Sequence, residues 1–403
     1  MKIKAAAVAT ATTGLLILAG CSATGGSGSG GGSGGGSGGD TSPIVVGSVN
    51  ALSGPATFPE ASQAAKAVFD QVNKDGGIDG RKIQYQILDD KADPATAAAA
   101  AREIVESDNA VALVGSASLI DCQVNGQYYQ QAGILSIQGT GVDQDCFQNP
   151  NISAVNVGPY GDTTMTLTYG SQVLGLKKIC ALVEITGNTG PAYKAAIAAW
   201  SQSTGKHLVL EDDTVPYGAS DYTPYIVKAK EAGCDAVYSN AVEPDGIGQL
   251  KAAAAQGWND VTFLYLTSVY SEQFATAAAQ VGKGVYVPAE FAPYTNANSA
   301  KNADWLKLMT ADKIPLTSFA QGGYLAATYF VQVLKSIKGD ITRDSVTKAL
   351  HDMTPISNPM VGTPWTFGTA DTHNSNRAGW PIKLLSGTGK WQLAAVDWFK
   401  LNN

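Results

Sequence analysis

From residue 44 onward, short apolar runs of strand length alternate with stretches of helical period, and they do so in two separate series. The run Ile44-Val45-Val46-Gly47-Ser48-Val49 reads as a strand. Over 60–73, Ala64, Ala65, Val68, Phe69 and Val72 fall at helical spacing, and Gly76-Gly77 with Gly80 stop that helix. A second strand is predicted over 82–88. Asp93-Pro94 then offers an N-cap acid and a proline at the first helical position, ahead of an Ala-rich helix to residue 106. Strands over 111–115 and 134–137 enclose a helix over 122–131. The pattern restarts near Tyr160, with strands over 179–185, 207–214, 235–240 and 261–266 and helices over 190–202, 221–231 and 243–256. The tail adds helices over about 317–338 and 342–351, then strands near 382–385 and 391–396. Such alternation predicts an α/β chain of parallel sheets covered on both faces, and two series predict two similar doubly wound lobes.

The first forty residues obey a different logic. Lys2 and Lys4 precede an apolar stretch, 5–20, too short to span a bilayer, which reads as the core of a signal peptide. It ends in Leu18-Ala19-Gly20-Cys21, which resembles a bacterial lipobox, the Cys being the acceptor of a diacylglyceryl group. Residues 22–39 follow, with eleven Gly and five Ser among them. A chain of that composition behaves as a flexible coil spanning roughly 20–25 Å. The expected organisation is therefore a signal peptide at 1–20, a lipid on Cys21, a tether over 21–42, and a body held outside the cytoplasmic membrane.

Composition narrows the function classes. The net charge is -7, with no cluster of Lys or Arg, which argues against nucleic acid. There is no Walker loop, no Gly-x-Ser-x-Gly elbow and only three histidines, so an enzyme is not expected. Gly387-Thr388-Gly389-Lys390 reads as a turn. Besides Cys21, four cysteines remain, Cys122, Cys146, Cys180 and Cys234; an even number in an exported chain favours disulfides. No pair has C-x-x-C spacing, and neither a metal nor a cofactor is expected.

Residues 76–105, GGIDGRKIQYQILDDKADPATAAAAAREIV, resemble the signature of type I periplasmic binding proteins of the Leu/Ile/Val-binding class. The pieces stand in family order: Ser53-Gly54-Pro55 after the first strand, Gly76 to Lys82 before the second, and Asp89 to Pro94 after it. The resemblance extends more loosely from about Pro43 to the C-terminus. It implies two lobes around a ligand cleft, joined by crossover hinges, with 43–157 plus about 291–357 in one lobe and 158–290 plus about 358–403 in the other. It also implies capture of a small molecule, hinge closure and delivery to the permease of an ABC importer, by a monomer without catalysis of its own. A ligand-sensing receptor of the same fold, signalling through a separate membrane partner, is the alternative.

Carried over position by position, the family's ligand loops fall on Ser116, Ala117 and Ser118 after the third strand and on Gln138, Gly139 and Thr140 after the fourth. Leu119 stands where relatives place a second hydroxyl, and Thr140 is displaced by two places. In the second lobe Thr267 and Ser268 occupy the place of an acid that commonly meets the ligand ammonium, and Thr189-Gly190 replaces an aromatic-Gly pair. Glu243 is the best remaining acid, either as that ammonium's partner or as a solvated residue at a helix start. Tyr160, Asn188 and Thr189 complete the second-lobe candidates. Phe58 and Phe319 are candidate apolar walls, or core. The expected solute is an amino acid, an amide or a small or aromatic carboxylate. Short polar residues at strand ends have a second reading, as caps of the next helix. Cys122 and Cys146 fall beyond strand ends on the cleft side, where a bridge would pin both loops. Cys180 and Cys234 open two lobe-two strands, and either a bridge or free buried thiols fits them.

Overall fold

In a computed structural model the described residues are 41–54, 56–295, 300–374 and 376–401. The signal-peptide core, Cys21, the Gly/Ser tether and Pro55 lie outside them. Residues Asp40–Asn403 form one compact unit.

The first series builds the first sheet. In order come β1 (Ile44–Asn50), α1 (Pro59–Lys74), β2 (Ile83–Asp89), α2 (Pro94–Arg102), β3 (Ala112–Ala117), α3 (Asp121–Ala132), β4 (Ser136–Thr140), α4 (Asp145–Gln148) and β5 (Ile152–Ala154). The strands lie in the order β2-β1-β3-β4-β5, all parallel. β1 and β3 are buried along almost their whole length, as expected of strands covered on both faces. The start of α2 is as anticipated: the Asp93 side chain accepts from Thr96 N at 2.8 Å, with Pro94 at the first position.

The second series follows: α5 (Gly158–Thr168), β6 (Ile179–Glu184), α6 (Gly190–Thr204), β7 (Leu210–Val215), α7 (Thr223–Glu231), β8 (Ala236–Ser239), α8 (Glu243–Ala255), β9 (Thr262–Tyr265), α9 (Glu272–Ala278) and β10 (Val285–Ala289). The chain then returns to cover the first sheet with α10 (Ala303–Asp312), α11 (Ser318–Ser336) and α12 (Arg343–His351), and crosses again to add β11 (Ala378–Leu385), β12 (Lys390–Leu393) and β13 (Phe399–Lys400). The second sheet runs β12-β11-β10-β9-β8-β6-β7, with β13 beside β11. It is mixed, not wholly parallel: β11 is antiparallel to β10, and β12 to β11. For β12 the reason is local, since the turn from Leu385 to Lys390 is far too short for a crossover. Gly387 and Gly389 sit at φ 74° and 64°, which confirms that stretch as a turn.

α11 seats the first lobe. It packs against α1, β3 and β4, and two glycines permit the approach. A Cβ on Gly323 would lie 1.9 Å from the Ala61 carbonyl oxygen, and one on Gly322 2.0 Å from that of Gly139. All four non-lipobox cysteines are bridged, Cys122 to Cys146 and Cys180 to Cys234. The buried site of Cys122, Asp143 and Cys146 is thus a disulfide with a neighbouring acid rather than a thiolate metal site.

Candidate functional site

The carboxyl ends of both sheets face one cleft, where open parallel sheets place their ligands. An inner cavity of about 100 Å³ is lined from the first lobe by Phe58, Leu119, Thr140, Gly141, Val142, Ser318 and Phe319, and from the second by Pro159, Asp162, Tyr193, Asn240, Val242, Leu266, Thr267 and Ser268. Asn156 and Glu290, on the crossings, close it. An outer cavity of about 610 Å³ shares Phe58, Val242, Ser268 and Phe319 and adds Glu60, Tyr217, Glu243, Asp245, Tyr270 and Thr317. Phe58 and Phe319 stack with centroids 4.4 Å apart. Behind them a small cluster of Ala51, Ala61 and Ala117 holds the wall, with Leu119 against it.

Of the residues singled out from the sequence, Phe58, Thr140, Thr267 and Phe319 line the inner cavity and Glu243 the outer one. Leu119 and Ser268, named beside them, also line the inner cavity; the remaining candidates line neither. Ser116 is buried, and its hydroxyl accepts from Val49 N at 3.2 Å. Ser118 behaves as a cap: its Oγ accepts from Ile120 N and Asp121 N and donates to buried Asp90. The Gln138 amide donates to Asp121 and Ser136 beneath the loop, and Ala117 N is held by the Asn50 side chain at 3.1 Å. Gly139 lies against Gly323. Thr189 bonds back to the Thr186 carbonyl at 2.9 Å, while Asn188 is exposed. Tyr160 sits in a separate groove with Phe147 and Arg377, its ring edge-on to Tyr193 at 5.0 Å.

The charged groups of the cleft are carboxyls. Asp162, on α5, is 1 % exposed. Its Oδ2 accepts from Thr267 N at 2.9 Å, and its Oδ1 has no hydrogen-bond partner, nor has the Thr267 hydroxyl. Glu290 is 2 % exposed; its Oε1 accepts from Gly158 N at 2.7 Å and Asn156 Nδ2 at 3.2 Å. Burial pushes the Asp162 carboxyl well above the usual carboxylate range, and the Glu290 charge pushes it further. Burial brings Glu290 up to about 7 against its hydrogen bonds. Glu60, at the start of α1, accepts from the Thr317 hydroxyl at 3.0 Å; burial raises it, and the charge of Glu243 across the cleft adds to the rise. Glu243 accepts from the Ser271 hydroxyl at 2.5 Å.

Asp162 and Glu290 are absent from the residues the sequence picked out. The available signal was a lone acid in an otherwise apolar or neutral stretch, Val285 to Ala292 for Glu290 and 158–171 for Asp162. A carboxyl in a run that must be buried is a functional pointer in its own right.

Residues 43–387 match the periplasmic binding protein family. Among curated relatives, the Leu/Ile/Val-binding protein homolog 3 of Brucella melitensis is 26% identical over 81% of this chain and 88% of its own length. Among solved structures, a branched-chain amino acid transporter substrate-binding protein of Streptococcus pneumoniae in complex with isoleucine aligns with a TM-score of 0.75 at 18% identity, over 89% of this chain and 100% of that one. A solute-binding protein of an R. palustris ABC transporter in complex with 4-hydroxybenzoate aligns at 0.74 and 18%, over 89% and 97%. Two α/β lobes facing one cleft, and a family match that spans them, lead to one conclusion: the chain belongs to the periplasmic binding protein family, with the type I two-lobe fold.

Proposed function

We propose that the chain is a lipid-anchored, extracytoplasmic solute-binding protein that traps a small, largely apolar molecule between its lobes and delivers it, as a monomer, to the permease of an ABC importer. The observation that supports this most is the inner cavity, walled by both lobes and by two crossings at once. A ligand there touches surfaces that only a closed cleft brings together, so binding favours closure. Thr140, Thr267, Phe58 and Phe319 are the contacts we assign from the sequence-derived set, and Glu243 guards the entrance. Ser116, Ser118 and Gln138 support the loops from beneath. The lobes divide as 43–157 with about 291–357, and 158–290 with about 358–403.

The anchor rests on the lipobox-like Leu18-Ala19-Gly20-Cys21 and the Gly/Ser run behind it. No helix among the described residues is long and apolar enough to cross a membrane. A lipid on Cys21 would hold the body near a permease at high effective concentration.

The test is twofold. Cys21→Ser should release the protein from membranes into the soluble fraction; retention in the membrane fraction refutes lipidation at Cys21. Small-angle scattering of the full chain, with and without solute, should show compaction on binding. Binding with an unchanged radius of gyration refutes capture by closure.

A further inference from the structure

We infer that the solute held in this cleft is a small apolar amine, bound as its ammonium ion. The inference rests on the solute-binding reading above and specifies the solute class for the same site. Together the two cavities are lined by five carboxyl groups, Asp162 and Glu290 within and Glu60, Glu243 and Asp245 outside. Among the described residues lining them there is no Lys, Arg or His. A solute carboxylate finds no cation to receive it, whereas an ammonium finds buried carboxyl groups that can ionise against it.

Geometry gives the ammonium a definite seat. Asp162 Oδ1 is buried, lines the inner cavity and lacks a hydrogen-bond partner, and the Thr267 hydroxyl beside it lacks one too. Asp162 cannot relax outward, because Thr267 N holds its other oxygen. Glu290 supplies a second carboxyl in the same cavity, fixed by Gly158 N and Asn156. An –NH3+ group has three donors and no acceptor. Asp162 Oδ1, the Thr267 oxygen and Glu290 are three acceptors in one cavity. The rest of the wall suits an apolar body: Leu119, Val142, Val242 and Leu266, with the stacked Phe58 and Phe319 rings and Tyr193. Glu60 on the first lobe and Glu243 on the second repel across the cleft. A cation arriving between them removes part of the cost of closing.

The familiar hydroxyl route to a carboxylate is also diverted. The Ser118 Oγ faces Asp90 and two backbone N–H groups of its own loop, and Leu119 presents an apolar surface to the cavity.

The experiment is calorimetric titration of the full chain in detergent at pH 8 with a matched series: benzylammonium, benzamide and benzoate, then butylammonium, butyramide and butyrate, with leucine as the zwitterion. The expected result is that an ammonium binds at least tenfold tighter than its amide and carboxylate partners. Asp162→Asn should remove most of that advantage with the thermal midpoint retained, and Glu290→Gln should reduce it. Benzoate, benzamide or leucine binding as tightly as the best ammonium overturns the ammonium inference and leaves solute binding intact. If no probe binds, mass spectrometry of the material released on denaturation decides: a cationic cargo supports the inference, a neutral or anionic one overturns it, and an empty protein overturns it together with the solute-binding reading.

Discussion

The two disulfides occupy opposite ends of their strands, and removing each should separate stability from binding. Cys122–Cys146 closes a loop of 24 residues and Cys180–Cys234 one of 54. On the chain-entropy account, cross-links of those lengths stabilise by about 3.5 and about 4 kcal/mol at 25 °C. For a unit of roughly 360 residues the unfolding entropy is about 0.75 kcal/mol/K. The paired Ser variants should therefore melt about 4.5 and 5.5 °C lower, read by differential scanning calorimetry. The functional consequences should diverge. Cys122 opens α3 and Cys146 lies in α4, on either side of the loop carrying Thr140, Gly141 and Val142 into the inner cavity. Cys180 lies at the start of β6 and Cys234 just before β8, at the ends remote from the cleft. Cys122→Ser/Cys146→Ser should weaken solute binding severalfold, and Cys180→Ser/Cys234→Ser should leave it within about twofold. Midpoints unchanged by either double substitution refute the cross-link argument, and equal losses of binding refute the assigned polarity of the lobes.

Other outcomes follow from the same coordinates. Between pH 5 and 8 the stability of the ligand-free protein should fall as pH rises. Burial holds Glu290 and Asp143 near 7 and Glu184 near 9, so the fold keeps protons there that the unfolded chain has released. The thermal midpoint is expected to fall across that range, and a midpoint rising from pH 5 to 8 contradicts it. Ammonium affinity should move the opposite way, strengthening as pH climbs through 7 with proton release on binding. The titratable groups that face Asp162 are Glu290, Tyr193 and Tyr238, and affinity independent of pH would count against their involvement. Gly323→Ala forces a methyl into the Ala61 carbonyl and should destabilise by about 2 kcal/mol or more, while displacing Phe58 and Phe319 enough to weaken binding. Phe319→Ala should cost tenfold or more in affinity by calorimetry, with a small change in thermal midpoint because Phe319 is only half-buried.

The lobes were legible because their evidence is local. Helix α1 shows its buried face in the spacing of Ala64, Ala65, Val68 and Phe69, and α2 shows its start in Asp93-Pro94. Neither depends on what lies across the molecule. The site was legible only in part, because the same local grammar serves two ends. A serine at a strand end is both a ligand hydroxyl and a helix cap. Which it becomes here is decided by Asp90, twenty-eight positions away, which takes the Ser118 proton. Gln138 is drawn inward by Asp121 for the same kind of reason. The antiparallel hairpin escaped a reading built on alternation because β11 and β12 carry no helix between them. Asp162 and Glu290 are brought to one cavity by the crossing of two segments over a hundred residues apart, a juxtaposition that no window along the chain contains.

That juxtaposition gives Glu290 two roles at once. Three segments distant in sequence, around Asn156, Glu290 and Asn376, meet at this one residue. The Glu290 carboxylate holds Asn156 and the N–H of Gly158, while its carbonyl oxygen accepts from Asn376 Nδ2 at 3.1 Å. Asn156 in turn clasps Gly141 in both directions, at 2.8 and 3.1 Å. The hinge and the cavity floor are therefore one hydrogen-bonded body, continuous with the loop that bears Thr140. A charge placed against Glu290 changes the strength of every bond that carboxylate makes. Occupancy of the cavity and stiffness of the hinge are then coupled by direct contact, with no relay needed, and an ammonium that ionises Glu290 tightens the same bonds that set the angle between the lobes.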